Sequence, residues 1–280
     1  MSSNLSVIIV SWNVRDKLRR CLQAVLAEKP FEILVIDNGS QDDSAEMVRQ
    51  DFPKVKLITQ STNLGFAKAS NMGIKQARGE IILLLNPDTE IYLGSLAAAI
   101  DFFQQNNKVG IVGGQLINED SSIQASVRRL PLFWPQLVVL LKLRYLWPSL
   151  LNHYLMRNFN YHQLSQVEQV SGAFFFIKRE LIEQIGYLDE KFWLWYEEVD
   201  YCKRAKDAWW QVWYLPQARA KHVGGTSFVQ LTHLKRQRQF NKSMLWYFKK
   251  HHIFLSYAVL AILSPFSLLE AMIIDLIKTK

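Results

Sequence analysis

Short apolar runs alternate with amphipathic helical patterns through the first part of the chain, which restricts it to an α/β fold with a parallel sheet covered by helices. Val7 to Ser11 is too short for a helix and too apolar for a loop, so it is read as a buried strand. Asn13 is then placed to cap a helix whose apolar face is Val14, Leu18, Leu22, Val25 and Leu26. Further strands are expected at Glu32 to Asp37, Val55 to Thr59, Ile81 to Leu85 and Val109 to Val112. Between them, Ser40 with Asp43 resembles an acidic capping box, and Phe66 to Ala77 and Leu96 to Phe103 read as helices.

After Asn118 the pattern is irregular to about Val167, with Arg128, Arg129, Pro131, Pro135 and Pro148, as befits a recognition insert. Regular elements resume with a strand at Val170 to Ile177 and a helix from Arg179 to Ile185. A helix from Glu197 to about Ala208 and a strand at Gln211 to Leu215 follow.

In such sheets ligands gather at the carboxyl ends of strands, where Ser11, Asp37 and Asp88 all fall. Neither G-x-G-x-x-G nor a P-loop occurs, which argues against a dinucleotide oxidoreductase and a P-loop nucleotidase. Tyr196-Glu197-Glu198-Val199-Asp200 crowds three acids behind Phe192, Trp193 and Trp195. Burial beside a like charge raises a carboxyl pKa and makes a general base, while acids in a first helical turn also suit the helix dipole with no function.

The formal net charge of +8 calls for an anionic partner, but no nucleic-acid recognition motif accompanies it. Two cysteines, Cys21 and Cys202, in neither metal-binding nor redox spacing, fit a reducing compartment. From Ile253 to Ile277 the chain is mostly apolar, broken by Pro265, Glu270 and Asp275 and preceded by Lys249, Lys250, His251 and His252. The expected arrangement is helices on the cytoplasmic face of a membrane, their basic residues against anionic lipid; a single span is the alternative.

The ordered segments Val-Ile-Ile-Val-Ser-Trp-Asn (7–13), Val-Ile-Asp-Asn-Gly-Ser (35–40), Asn63 through Asn71, Asn86-Pro87-Asp88, Gly186 through Glu190, Tyr196 through Asp200, and His222-Val-Gly-Gly resemble family-2 glycosyltransferases of the GT-A fold, in their bacterial rhamnosyltransferase-like branch. The resemblance covers about residues 5 to 228. It implies a nucleotide-sugar-binding half at 1–117 and an acceptor-binding and catalytic half at 118–228 of the same domain; the basic and apolar composition of 229–280 reads as a helical tail.

The resemblance also implies roles. Ser11, Asn13, Asp37, Asn63, Gly65, Asn71 and Asp88 would bind the donor nucleotide, with Asp37 accepting from a uracil or thymine ring N–H of a UDP- or dTDP-sugar. Gly65 would let the backbone approach closely, or would simply open a helix. Asp88 and His222 would hold Mg²⁺ or Mn²⁺ on the diphosphate, Asn86 standing where relatives carry a further acid. Glu198 would be the general base of an inverting transfer, with Glu197 beside it as its competitor and Asp200 in a structural role. Apart from the resemblance, the guanidinium forks of Arg128 and Arg129 suit diphosphate or a phosphorylated lipid acceptor, or form a solvated basic pair, and Trp193, Trp195 and Tyr196 would stack on the acceptor sugar or pack in the core. The acceptor would be a glycan or a polyprenyl-linked saccharide. A nucleotide-sugar-binding scaffold that lost catalysis is the alternative.

Overall fold

The computed structural model describes residues 4–225 and 230–278, so the expected boundary at 228/229 lies outside the described residues. The chain opens with β1 (Leu5–Ser11), α1 (Arg15–Ala27), β2 (Glu32–Asp37), α2 (Ser44–Asp51), β3 (Lys56–Thr59), α3 (Phe66–Gln76) and β4 (Ile81–Leu85). β5 (Thr89–Ile91), α4 (Ser95–Gln105), β6 (Val109–Ile117), β7 (Val127–Arg128) and α5 (Phe133–Leu140) follow, then two 3-10 turns at Leu143–Tyr145 and Pro148–Leu151. The remainder is β8 (Ser165–Val167), β9 (Gln169–Val170), β10 (Phe174–Lys178), α6 (Arg179–Ile185), α7 (Glu197–Asp207), β11 (Gln211–His222), α8 (His233–His251) and α9 (Phe254–Lys278).

All residues of β1 are buried because both faces of the strand are covered. Val7 and Ile9 join a cluster with Leu18 and Leu22 of α1, whereas Ile8 and Val10 join one with Ala67 and Ile74 of α3. Each such aliphatic side chain removed from water contributes about 1.5–3 kcal/mol, which is what holds helices to both faces. The nine-stranded sheet runs β3-β2-β1-β4-β10-β6-β11-β5, with β8 also on β11. β1 to β4, β6 and β11 point one way; β5, β8 and β10 point the other, so the parallel arrangement dominates but is interrupted by β10.

Several expected boundaries move. α1 begins at Arg15 without a side-chain cap, because Asn13 sits at φ +50° and its Oδ1 accepts from the Gln41 amide at 2.7 Å. Asp43 likewise is left-handed and caps nothing; Asp42 takes the Ser44 amide instead. β6 runs on through Gly113 and Gly114, where a Cβ would overlap Val170 and Phe174. The strand expected at 170–177 is split between β9 and β10. β11 continues past an irregularity at Leu215/Arg219 to pair with β5, His222 opposite Thr89.

The C-terminal hairpin is folded against the domain. Leu140 of α5, Phe192, Tyr196, Val199, Met244, Tyr247, Phe248 and Leu260 form one core. Asp275 of α9 accepts from the amides of His233 and Leu234, both at 2.9 Å, and so caps α8 together with Thr232. Of the basic residues expected to face lipid, Lys250 and His251 turn inward to Asp200, at 2.8 and 2.7 Å. His252 stacks on Phe248. The reason is electrostatic: a fully buried carboxylate requires cations more than a solvated surface does. Among the described residues no helix is long and apolar enough to cross a membrane, which corrects the single-span alternative.

Candidate active site

A cavity of about 370 Å³ opens at the carboxyl ends of β1, β2 and β4. Its walls include Trp12, Asn38, Asn63, Gly65, Asn86, Asp88, Gly172, Trp193, Trp195, Glu197, Glu198 and His222. Residues far apart in sequence therefore meet, because the sheet order brings the turn after β4 beside the end of β11.

At one end the β5–β11 pairing sets Asp88 next to His222. Val223 donates its amide to the Asp88 carbonyl at 3.2 Å, and His222 Nε2 lies 3.4 Å from both Asp88 Oδ1 and Asn86 Nδ2. A carboxylate oxygen and an imidazole nitrogen that close can bind one divalent ion together, with substrate phosphates and water supplying the remaining positions. No group of three or more His, Cys, Asp or Glu with metal-site geometry occurs among the described residues. The donor set thus fits an ion that arrives with its own oxygen ligands.

Ser11 and Asp37 are register partners at the ends of β1 and β2, and neither is among the residues that line the cavity. Asp37 Oδ2 accepts from the Ser40 amide at 3.2 Å, while Asp37 Oδ1 and Ser11 Oγ are buried with no hydrogen-bond partner. An orphaned acceptor of this kind is costly and fits a ligand N–H. Asn38, unassigned in the sequence reading, organises the adjoining loop. It donates to Asn63 Oδ1 at 3.0 Å and accepts from the Leu64 amide at 2.9 Å. Gly65 adopts φ +86°, and a Cβ there would meet Trp193, whose carbonyl accepts from the Phe66 amide at 2.8 Å. The close approach at Gly65 is therefore to Trp193.

Three expected contacts are reassigned. Asn71 spends its amide on Leu188 O and N, at 2.9 and 3.1 Å, and on Glu190 at 3.1 Å, so it braces α3 to the 186–190 turn. The Asn13 side chain is occupied by Gln41 and Gln230. Tyr196 is only 6% exposed, donates its hydroxyl to Gln136 Oε1 at 2.6 Å, and packs on Phe240 and Tyr247; it is core, with no face for a sugar. Trp195 does line the cavity. Arg128 is exposed, yet its charge reaches Glu198.

The other end of the cavity is the first turn of α7. Trp195 and Tyr196 are both left-handed, at φ +63° and +70°, a conformation that costs bulky residues roughly 1–3 kcal/mol each. The hairpin over-determines this turn: Ser243 donates to Leu194 O at 2.8 Å, and Phe240 meets both rings. The consequence is that Glu197 and Glu198 enter the cavity at a helix start, each with a buried Oε2 that has no partner. Burial, then the charge of Glu198, pushes the Glu197 pKa far up. Burial also raises Glu198, opposed by its own backbone amide and by Arg128. Two residues on, burial works to raise Asp200 as well, but His251, Lys250 and Arg204 outweigh it and hold that carboxyl below its ordinary value. Asp200 is the structural acid of the cluster.

Cys21 and Cys202 are buried free thiols; burial raises both, Cys202 to about 12, so neither is a nucleophile.

Trp193, expected against the acceptor sugar, lines the cavity; Trp12, Asn38 and Gly172 line it too and were assigned no role. Asn38 alone had a cue, standing directly after Asp37 at a strand end.

Comparison with known proteins identifies the family and the fold. Residues 6–186 match the profile of Glycosyl transferase family 2, a span that ends before α7 and β11. The chain is similar to the N-acetylglucosaminyl-diphospho-decaprenol L-rhamnosyltransferase of Mycobacterium tuberculosis, 26% identical over 252 residues, covering 79% of this chain and 76% of that one. The mannosyltransferase PcManGT of Pyrobaculum calidifontis, solved with GDP-Man and Mn²⁺, superposes with a TM-score of 0.60 at 16% identity over 97% of this chain and 74% of its own. GalNAc-T7, solved with UDP, GalNAc and Mn²⁺, gives 0.59 at 18% identity, covering 79% of this chain but 44% of that one. These two likenesses establish the GT-A fold.

Proposed function

Since the chain belongs to glycosyl transferase family 2, we propose that its cavity transfers a hexose such as rhamnose from a UDP- or dTDP-sugar, with inversion, to a hydroxyl of a glycan or polyprenyl-linked acceptor in cell-surface polysaccharide synthesis. One observation carries the reading. A single cavity holds a cation-binding pair at one end, Asp88 with His222, and two carboxyls that each keep a buried, unpartnered oxygen, Glu197 and Glu198, at the other.

Asp37 and Ser11 select the base, and the Asn38–Asn63 pair shapes the loop beside the nucleoside. Bound Mg²⁺ or Mn²⁺ would supply charge neutralisation for the diphosphate. Glu198 takes the proton of the acceptor hydroxyl as its oxygen forms the new bond to the anomeric carbon. The old bond breaks with its electron pair leaving on the nucleoside diphosphate. Glu198 is favoured over Glu197 because the charge of Arg128 acts on it against its desolvation. The exposed Arg128 offers an anionic acceptor group a guanidinium. Trp195 offers the acceptor sugar a flat apolar wall.

The acceptor's lipid anchor is matched by the hairpin surface. Leu255, Ile262, Phe266 and Leu269 form one exposed face of α9, opposite the buried Leu260 and Ala271. The exposed Lys235, Arg238, Lys242 and Lys249 recur at helical spacing on α8, a helix without acids. An apolar face flanked by cations suits an anionic membrane surface, so the enzyme is assigned peripherally to the cytoplasmic side. The scaffold alternative has no supporting observation, since the acidic end keeps two ionisable carboxyls.

The test is release of nucleoside diphosphate from a panel of UDP- and dTDP-sugars, with and without Mn²⁺, by wild type and Asp88→Asn. Turnover that depends on Mn²⁺ and falls at least tenfold in the variant is expected. Metal-independent turnover, or none with any donor, defeats the reading.

A further inference from the structure

Loop 118–124, between β6 and β7, has no part in the site described above, yet it ends against His222. Asp120 Oδ1 accepts from both the amide and the hydroxyl of Ser122, at 2.9 and 2.6 Å. A carboxylate only accepts, so the single Ser122 hydroxyl proton is committed to it. Toward Asn118 the Ser122 oxygen is then an acceptor, and it takes Asn118 Nδ2 at 2.9 Å. That turns the Asn118 carbonyl to Gln124, whose Nε2 donates to it at 2.9 Å. Gln124 in turn faces His222 with its carbonyl, 2.7 Å from Nδ1. Each polarity forces the next, and the last forces a proton onto Nδ1.

The backbone holds the relay in place. Asn118 donates its amide to Ser122 O at 2.8 Å, Gln124 to Leu116 O at 2.8 Å, and Ile117 bridges Ile123.

We propose that Gln124 is a positioning residue of the donor-binding end: the chain Asp120–Ser122–Asn118–Gln124 holds the His222 ring in the Nδ1–H tautomer and aims its Nε2 lone pair at the Asp88 side of the cavity. Partners of this kind orient a ligating imidazole and set which nitrogen can ligate. The role toward a metal rests on the reading of His222 as a cation ligand; the tautomer does not.

Two measurements separate these levels. Nitrogen-15 NMR of the imidazoles, with His222 assigned by comparison with His222→Gln, is expected to show an Nδ1–H ring in the metal-free wild type and loss of that preference in Gln124→Leu. Mn²⁺ binding in the presence of UDP, followed by EPR of free Mn²⁺, is expected to weaken about 10–100-fold in Gln124→Leu. Gln124→Glu keeps an acceptor for Nδ1–H but gives up the donation to Asn118 Oδ1, so it should restore the affinity in part. An Nε2–H ring in the wild type, or an unchanged tautomer in Gln124→Leu, overturns the proposal. An Nδ1–H ring lost in Gln124→Leu, with Mn²⁺ affinity indifferent to His222→Gln, upholds the relay and removes the metal from His222 instead.

Discussion

The two ends of the cavity solve opposite problems. At the Asp88 end polar atoms are tied into a chain of hydrogen bonds that reaches back to Asp120. At the α7 end Glu197 and Glu198 each keep a buried, unpartnered oxygen, while the nearby cations Arg204, Lys250 and His251 are all gathered by Asp200 in the same helical turn. The difference teaches how one cavity binds charge and moves a proton. Binding needs lone pairs fixed in advance, whereas a base needs a carboxylate whose proton affinity has been left high. Asp200 makes the second condition possible by drawing the local positive charge away from its neighbours.

The strongest way to break this contrast is to neutralise each acid separately. Glu198→Gln is expected to lower kcat by about 10²–10⁴ with donor affinity little changed, as removal of a general base does. Glu197→Gln should cost less. Because burial raises Glu198, the acid limb of the wild-type pH–rate profile should lie above the ordinary carboxylate value of 4.5, activity falling as pH drops through it, and this limb should vanish in Glu198→Gln. Steady-state kinetics across pH decide it. A Glu197→Gln variant that loses more than Glu198→Gln exchanges the two roles.

Asp200→Ala attacks the contrast from its compensated side. Asp200 is completely buried, and its removal leaves Arg204, Lys250 and His251 without their shared counter-charge. Breaking such a buried arrangement costs about 3–5 kcal/mol, or roughly 6–20 °C in Tm for a domain of this size. The hairpin should loosen first, since Lys250 and His251 belong to α8. Asp200 also has its pKa lowered from 3.8, so its contribution is present above that pH and is lost as pH falls through the folded-state value. Differential scanning calorimetry that finds a loss under about 1 kcal/mol shows that the hairpin is held by its apolar core alone.

How much of this could be read from the chain follows from how local each cause is. β1, β2 and β4 were legible because strands covered on both faces leave continuous apolar runs. Asp88, His222 and the acid pair were legible as ordered segments, and they do meet in one cavity. The far half of β11 was not, although Ala218, Ala220 and His222 alternate as buried positions with Arg219 and Lys221; Pro216 hid the period. Lys250 and His251 resembled a surface patch because the carboxylate that claims them lies some fifty positions earlier. Asn13 and Asp43 resembled capping residues, but the backbone is left-handed at both; Asn13 turns to the Gln41 amide, and Asp42 rather than Asp43 takes the Ser44 amide. Tyr196 had the composition of a sugar platform; only the hairpin, packing from far along the chain, makes it core.

The smallest effect is the most diagnostic, because it runs against the usual direction of core substitutions. Glu197 has its pKa raised by burial and by Glu198, so the folded state holds a proton at pH values where the unfolded chain, with an ordinary value of 4.5, has released it. Its contribution to stability is therefore complete below pH 4.5 and declines as pH rises toward the folded-state value, where a charge must be buried. Glu197→Gln keeps the shape and cannot ionise, so it should match wild type in acid and exceed it at neutral pH, each kcal/mol gained appearing as about 2–4 °C in Tm. Thermal melts of both proteins from acid to neutral pH measure the divergence. Curves that stay parallel would mean that Glu197 finds a counter-charge after all, and the two ends of the cavity would then be compensated alike. Divergence, set beside the loss in Asp200→Ala, would mean that neighbouring acids in one helical turn contribute to stability with opposite signs, Asp200 compensated by its cations and Glu197 left without a counter-charge beside the proposed base Glu198.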